Sequence, residues 1–136
     1  MDQLDDHRRA NLAVVERIFA AIGNSDADAQ VANYTDYIVI EFPYTDPPGE
    51  KRGRQLIRDY LAGAFSVFQF TLEITDVHAT TNPDKLIVEF AGRGTYLPNG
   101  APYENTYIAV FEFRDGLVFR QREFFNPLMA AKSRDA

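Results

Sequence analysis

Residues 103–126 read YENTYIAVFEFRDGLVFRQREFFN, and this stretch decides the fold. Tyr, Ile, Val, Phe and Thr fill both halves, and Arg-Asp-Gly at 114–116 divides them. That composition predicts a hairpin of strands Tyr103–Arg114 and Leu117–Asn126. Side chains alternate across a strand, so parity sorts them into faces. In the first strand Tyr103, Asn105, Tyr107, Ala109, Phe111 and Phe113 share one face. Glu104, Thr106, Ile108, Val110 and Glu112 share the other. In the second, Phe119, Gln121, Glu123 and Phe125 lie together, opposite Val118, Arg120, Arg122 and Phe124. The aromatic-rich faces are assigned to the concave side of the sheet. Glu123 then points inward with Phe119 and Phe125, and the two arginines point out.

Working outward from the hairpin, Phe70–Thr80 and Lys85–Leu97 read as two further strands, with LPNGAP as the turn before Tyr103. Gly92 and Gly94 fall inside a strand, where glycine marks a bulge or sharp coiling. Upstream, Leu12, Val15, Ile18, Phe19 and Ile22 recur at helical spacing until Gly23 and Asn24 end the run. Ser25 or Asp26 caps a second, short helix expected to carry Val31 and Tyr34. YIVIEFPY reads as a strand ending near Pro43, and TDPPGEKRG as a loop. RQLIRDYLAGAF returns to helical period with Leu56, Ile57, Tyr60, Leu61 and Ala64 on one side. Helices followed by a long meander define an α+β fold. The expected architecture is a conical half-barrel, its N-terminal helices packed on a strongly curved mixed or antiparallel sheet with an internal pocket. One domain spans 1–136, with a core of about 8–128 and a flexible tail over 129–136.

Composition narrows the function. A chain of 136 residues is large enough to bury a core unaided. Eleven Phe and seven Tyr are enough to line a cavity as well as fill a core. The net charge of −6 and the lack of any basic cluster argue against nucleic acid, which needs a cationic footprint. With no cysteine, thiol catalysis, Cys-ligated zinc and disulfides are excluded. MDQLDDHRRANL has no apolar core of a signal peptide, and no run is long enough to cross a bilayer. The default expectation is a cytoplasmic protein without a membrane partner. His7 and His78 are too few and too far apart in sequence for a metal site, and neither metal nor cofactor is expected.

Two readings stand for Glu123. Partly exposed or paired with an arginine, it is a structural carboxylate. Facing an apolar cavity, it has a raised pKa and can pass a proton to or from an enol, ketone or amine. Tyr103, Asn105, Tyr107 and Gln121 would supply hydrogen bonds beside it. Glu41 is either a second pocket carboxyl or a solvent-facing strand residue. Tyr34, Tyr37 and Tyr44 are candidates for the cavity mouth. Arg93 is either a binder of a substrate carboxylate, which its planar fork suits, or, on the same parity as Glu89, an ion-pair residue of the outer face.

The segments VVERIFAAIGNSDADA, YTDYIVIEFP, KRGRQLIRDYL and PYENTYIAVFEFRDGLVFRQREFFNPL resemble the SnoaL-like branch of the nuclear transport factor 2-like superfamily. The resemblance runs from about Val14 to Leu128. It implies a conical α+β barrel with a deep pocket, a homodimer and no metal. Members include polyketide cyclases, ketosteroid isomerases, limonene epoxide hydrolases and the phenazine-biosynthesis A/B proteins. Against the ketosteroid isomerases, Ile18 and Phe42 stand where the oxyanion-hole tyrosine and general-base aspartate belong. Against the epoxide hydrolases, Glu123 matches a catalytic aspartate. Phe90 and Gly92 replace their Arg-x-Asp pair, and Val39 and Glu41 their water-orienting residues. The phenazine A/B proteins match at Tyr103, Glu104 and Asn105 and again at Arg122, Glu123, Phe124 and Asn126. Tyr60 lies where they carry a histidine.

The resemblance implies a cofactor-free enzyme acting on a hydrophobic, oxygenated small molecule by cyclisation, isomerisation, condensation or hydration. Glu123 and Tyr103 would be catalytic. Tyr34, Phe42, Tyr60, Asn105, Tyr107, Phe111, Gln121 and Phe125 would bind substrate. Alternatives are a non-catalytic binder using the same cavity, or a dimeric accessory protein using a convex face with Ile108 and Val110.

Overall fold

The computed structural model describes residues 4–136. Helices α1 (Asp6–Gly23) and α2 (Ala27–Val31) lead into strands β1 (Tyr34–Phe42) and β2 (Gly49–Arg52). Helix α3 (Arg54–Phe65) follows, then β3 (Phe68–Ala79), β4 (Lys85–Tyr96), β5 (Ala101–Arg114), β6 (Leu117–Phe125) and helix α4 (Pro127–Arg134). The strands form one six-stranded sheet in the order β2-β1-β6-β5-β4-β3. Only β1 and β6 run parallel; the other neighbours are antiparallel. The sheet is mixed and open, and the helices cover one side of it, as the α+β cone requires.

Each helix end has a local cause. The Asp5 side chain accepts from the Arg8 N–H and starts α1, and the Asp26 side chain accepts from the Ala29 N–H and starts α2. Along α1, Val14, Val15, Ile18 and Phe19 are buried, so the helical period of the sequence is the packing face. Phe19 sets its ring 4.6 Å from Phe90 of β4, which joins helix to sheet.

Four elements differ from the sequence reading. Tyr34 opens β1 rather than riding on α2, so the strand starts three residues before YIVIEFPY. Part of the expected TDPPGEKRG loop pairs with β1 as β2, from Val39 opposite Arg52 to Phe42 opposite Gly49. On α3 only Ile57 is buried, and Leu56 is exposed. Residues 129–136, read as a flexible tail, belong largely to α4. Asn126 caps that helix through the Leu128 N–H, Pro127 opens it, and the buried Ser133 donates to the Pro102 carbonyl at 2.7 Å.

Gly92 and Gly94 produce coiling without a bulge. The β3–β4 register passes both of them without interruption and shifts instead between Ile74 and Asp76. A Cβ on Gly94 would lie 1.9 Å from the Gln69 carbonyl oxygen and 2.5 Å from the Phe70 Cα, a backbone approach that only glycine allows. On Gly92 it would meet the Tyr107 ring at 2.9 Å. The glycines therefore let β3 and β5 fold closely about β4.

Candidate functional site

The last hairpin positions the site, and a bulge corrects its parity. Between β5 and β6, Glu112 pairs with Arg120 but Phe113 pairs with Val118, leaving Phe119 as the extra residue. Val118 is therefore fully buried, whereas Phe119 turns outward beneath the Arg114 guanidinium, 4.6 Å from its ring. Beyond the bulge the expected parity holds. Gln121, Glu123 and Phe125 face inward opposite Phe111, Ala109 and Tyr107. Arg120 points out and bridges Glu41 at 3.2 Å and Glu112 at 3.5 Å. Glu41 is thus an outer-face ion-pair residue, while its neighbours Ile40 and Phe42 line the cavity.

The cavity has a volume of about 580 Å³, within the usual span of small-molecule sites, about 300–1,000 Å³. Its walls come from α1, α2, α3, α4 and all strands except β2, and are predominantly aromatic and aliphatic. Tyr34, Phe42, Tyr60, Tyr103, Tyr107, Gln121, Glu123 and Phe125 all line it. Two expected site residues do not. Phe111 is fully buried against Phe19 and Phe113, as core. Asn105 lies behind the wall. Its amide donates to the Tyr103 hydroxyl at 3.1 Å and the Asn126 carbonyl at 2.9 Å, and its Oδ1 accepts from the Asn126 N–H. It holds Tyr103 and ties β5 to the start of α4. Tyr37 and Tyr44 are exposed and outside the lining: Tyr37 accepts from Arg114, and Tyr44 packs edge-on against Phe124.

Glu123 has no arginine partner among the described residues. Its one side-chain bond is from Gln121, whose Nε2 donates to Oε1 at 3.2 Å. Its remaining accessible surface opens onto the cavity rather than bulk water. Desolvation raises its pKa from 4.5 to about 7, outweighing the opposing hydrogen bond from Gln121. Four phenols surround this carboxyl: Tyr34, Tyr60, Tyr103 and Tyr107 are each raised by burial first, with the Glu123 charge adding to the shift. They stay protonated through neutral pH as O–H donors. Tyr103 and Tyr107 bond to each other, oxygen to oxygen, at 2.5 Å. Tyr107 stacks parallel on Phe90 at 4.8 Å. Asn105 occupies an acceptor position of Tyr103, so one hydroxyl proton of the pair is shared between the oxygens and the other is free for a ligand.

Sequence reasoning missed several lining residues. Gln30 of α2 is buried, and its Nε2 donates to Tyr34 at 2.8 Å while its Oε1 has no partner. Nothing distinguishes it in the sequence from the solvated positions of a short polar helix. Leu128, Ala130 and Arg134 reach the cavity from α4, and Asn-Pro at 126–127 was the available sign of that helix. Away from the cavity, His78 bonds Glu89 at 2.5 Å with Asp76 beside it. The trio lies on the outer surface, and Arg93 pairs there with Glu104.

The comparisons with known proteins bear on the family and the fold. The model of the SnoaL-like domain matches residues 15–121, and the chain belongs to that family. Phenazine biosynthesis protein PhzA1 of Pseudomonas aeruginosa is 30% identical, the alignment covering 93% of this chain and 81% of that protein. The uncharacterised protein YesE of Bacillus subtilis is 27% identical, covering 88% and 83%. Among solved structures, a Bacillus subtilis protein described provisionally as an isomerase superposes with a TM-score of 0.90 at 24% identity, over 96% of each chain. The fold is thus the nuclear transport factor 2-like cone.

Proposed function

We propose that the protein is a cofactor-free enzyme that moves protons on a hydrophobic, oxygenated small molecule, with Glu123 as general acid and base. One observation carries this reading. A carboxyl raised by burial to a pKa of about 7 lies in a mostly apolar cavity, with phenolic O–H donors in the same lining and no cation bonded to it among the described residues. Near neutrality such a group exists in both forms and can accept a proton in one step and return it in the next. On an enolisable ketone, the carboxylate removes the proton beside the carbonyl. The free hydroxyl of the Tyr103–Tyr107 pair donates to the oxygen that becomes the enolate. Return of the proton at another carbon gives isomerisation; attack of the enolate on a second carbonyl gives cyclisation or condensation. Tyr34, Phe42, Tyr60 and Phe125 would shape the ring-binding walls, and the relatedness to a phenazine-biosynthesis protein supports substrates of that size.

The absence of a histidine near Tyr60 favours a second reading, a binding protein with the same cavity and no turnover. A homodimer through the outer face, where Ile108 is exposed, is compatible with either and is checked by sedimentation.

The test is a thermal-shift screen of polyketide-like, steroid-like and phenazine-precursor-like compounds from pH 5 to 8, with wild type beside Glu123→Gln. The enzyme reading expects stabilisation that changes with pH in wild type and not in the variant, and turnover of the bound compound by wild type alone. Binding that is equal in both proteins at every pH would transfer the protein to the binding class.

A further inference from the structure

A second constellation stands on the outer face of the sheet, apart from the cavity. The register shift between Ile74 and Asp76 adds one residue to β3 and resets its alternation. Before the shift Leu72 and Ile74 pack against the core, and after it Val77 does. Without the extra residue Asp76 and His78 would share the parity of Ile74 and point inward; with it both point out. Across the ladder Asp76 pairs directly with Glu89 of β4, and His78 pairs with Ile87. Glu89 is therefore opposite Asp76 and diagonal to His78, two neighbours within reach of a long side chain.

The three side chains converge. His78 Nε2 lies 2.5 Å from Glu89 Oε2 and 3.7 Å from Asp76 Oδ2, and one ligand atom from each residue falls within 4.8 Å of the other two. Asp76 is held by its own strand: its Oδ1 accepts from the Val77 N–H at 2.9 Å, which leaves Oδ2 toward His78. All three side chains are about half exposed, so an ion can reach them from solvent. Two carboxylates directly opposite each other across a ladder repel. Among the described residues their one basic partner is His78. An imidazole nitrogen and two carboxylate oxygens are a donor set that zinc accepts, at bonds of about 2.0–2.2 Å. Around a tetrahedral ion such donors stand roughly 3.4 Å apart. The separations here bracket that value, so side-chain rotation on an unmoved backbone suffices.

We propose that Asp76, His78 and Glu89 form a surface site for a divalent transition-metal ion of the zinc type, with water completing the coordination. Its place in the fold gives it a consequence. β3 is the edge strand and is joined to the sheet through β4 alone, so an ion ligated from both strands clamps that edge. None of the three residues lines the cavity, and the ion takes no part in the proton transfer assigned to Glu123. Sequence spacing hid the site because a bulge and a strand pairing bring positions 76, 78 and 89 together, and only one of the two histidines contributes.

Calorimetric titration of the untagged chain with Zn²⁺ tests this, with Mg²⁺ as the control ion. Wild type should take up one Zn²⁺ per chain, and its melting temperature should rise with Zn²⁺ concentration, because the ion binds the folded state. His78→Gln should weaken binding by about a hundredfold, the upper scale for losing even an indirect partner of a bound metal. Asp76→Asn, a second exposed substitution, should weaken it as well. His7→Gln should bind as wild type does, since His7 bonds Asp84 elsewhere on the surface at 2.6 Å. Mg²⁺, which prefers octahedral oxygen surroundings and keeps its waters, should not bind at the same concentrations. No uptake of Zn²⁺, uptake that survives His78→Gln, or uptake lost in His7→Gln would overturn the site. Mg²⁺ binding equal to that of Zn²⁺ would also overturn it, leaving an acidic patch only.

Discussion

Glu123 shows how one residue type acquires its chemistry from its neighbours. The same β6 strand carries Arg120 and Arg122, yet alternation sends both away from it, and Arg120 is taken up by Glu41 and Glu112. The carboxyl therefore faces only a weak amide donor and phenols. Its folded pKa lies above its unfolded one, so the native state holds the extra proton between about 4.5 and 7. Stability from this group is complete below that window and is lost as pH rises through it. At about 1.4 kcal/mol per pH unit, the loss is roughly 3 kcal/mol. Urea denaturation at pH 5 and pH 8 should show wild type losing most of that, about 2.5 kcal/mol, relative to Glu123→Gln. The phenols make a second residue-scale case. Tyr107→Phe removes one member of the hydrogen-bonded pair but keeps the ring stacked on Phe90. Once a substrate is found, kcat should fall about a hundredfold, as on removal of one oxyanion donor, with little change in melting temperature.

At the scale of elements, two glycines give opposite expectations. Gly94→Ala would drive a methyl into the β3 backbone and should cost at least about 2 kcal/mol. Gly63→Ala, inside α3 with nothing within 4 Å of the new methyl, should stabilise by about 0.5–1 kcal/mol. Thermal denaturation of both variants checks the pair. The elements also show what a sequence can disclose. The hairpin of β5 and β6 was legible because apolar alternation and a turn tripeptide agree, and α1 and α3 because their periods and end signals agree. Phe119 misled because a bulge adds one residue and reverses every side chain before it. β2 was hidden because Gly-Glu-Lys-Arg has no apolar alternation, as befits a short charged edge strand. Of the site, Glu123, Tyr103 and Tyr107 were legible from parity, whereas Tyr34 was expected on a helix and opens β1 instead. Phe111 and Asn105 share that parity, and only depth in the fold separates lining residues from those behind them.

For the whole molecule, the open sheet and the helices laid over it leave space that neither fills, and α4 borders that space at one end. The family model matches residues 15–121 and stops short of Glu123, so the chemistry rests on the cavity's contents rather than on the fold. The central claim is that this cavity holds a carboxyl that titrates near neutrality. The most direct measurement is a carbon-13 NMR titration of glutamate-labelled protein, with the Glu123 side-chain carboxyl signal assigned by its loss in Glu123→Gln. A midpoint near 7 is the expected result. A midpoint near 4.5, the ordinary value for a solvated glutamate, would contradict the account and leave an aromatic cavity without a proton carrier.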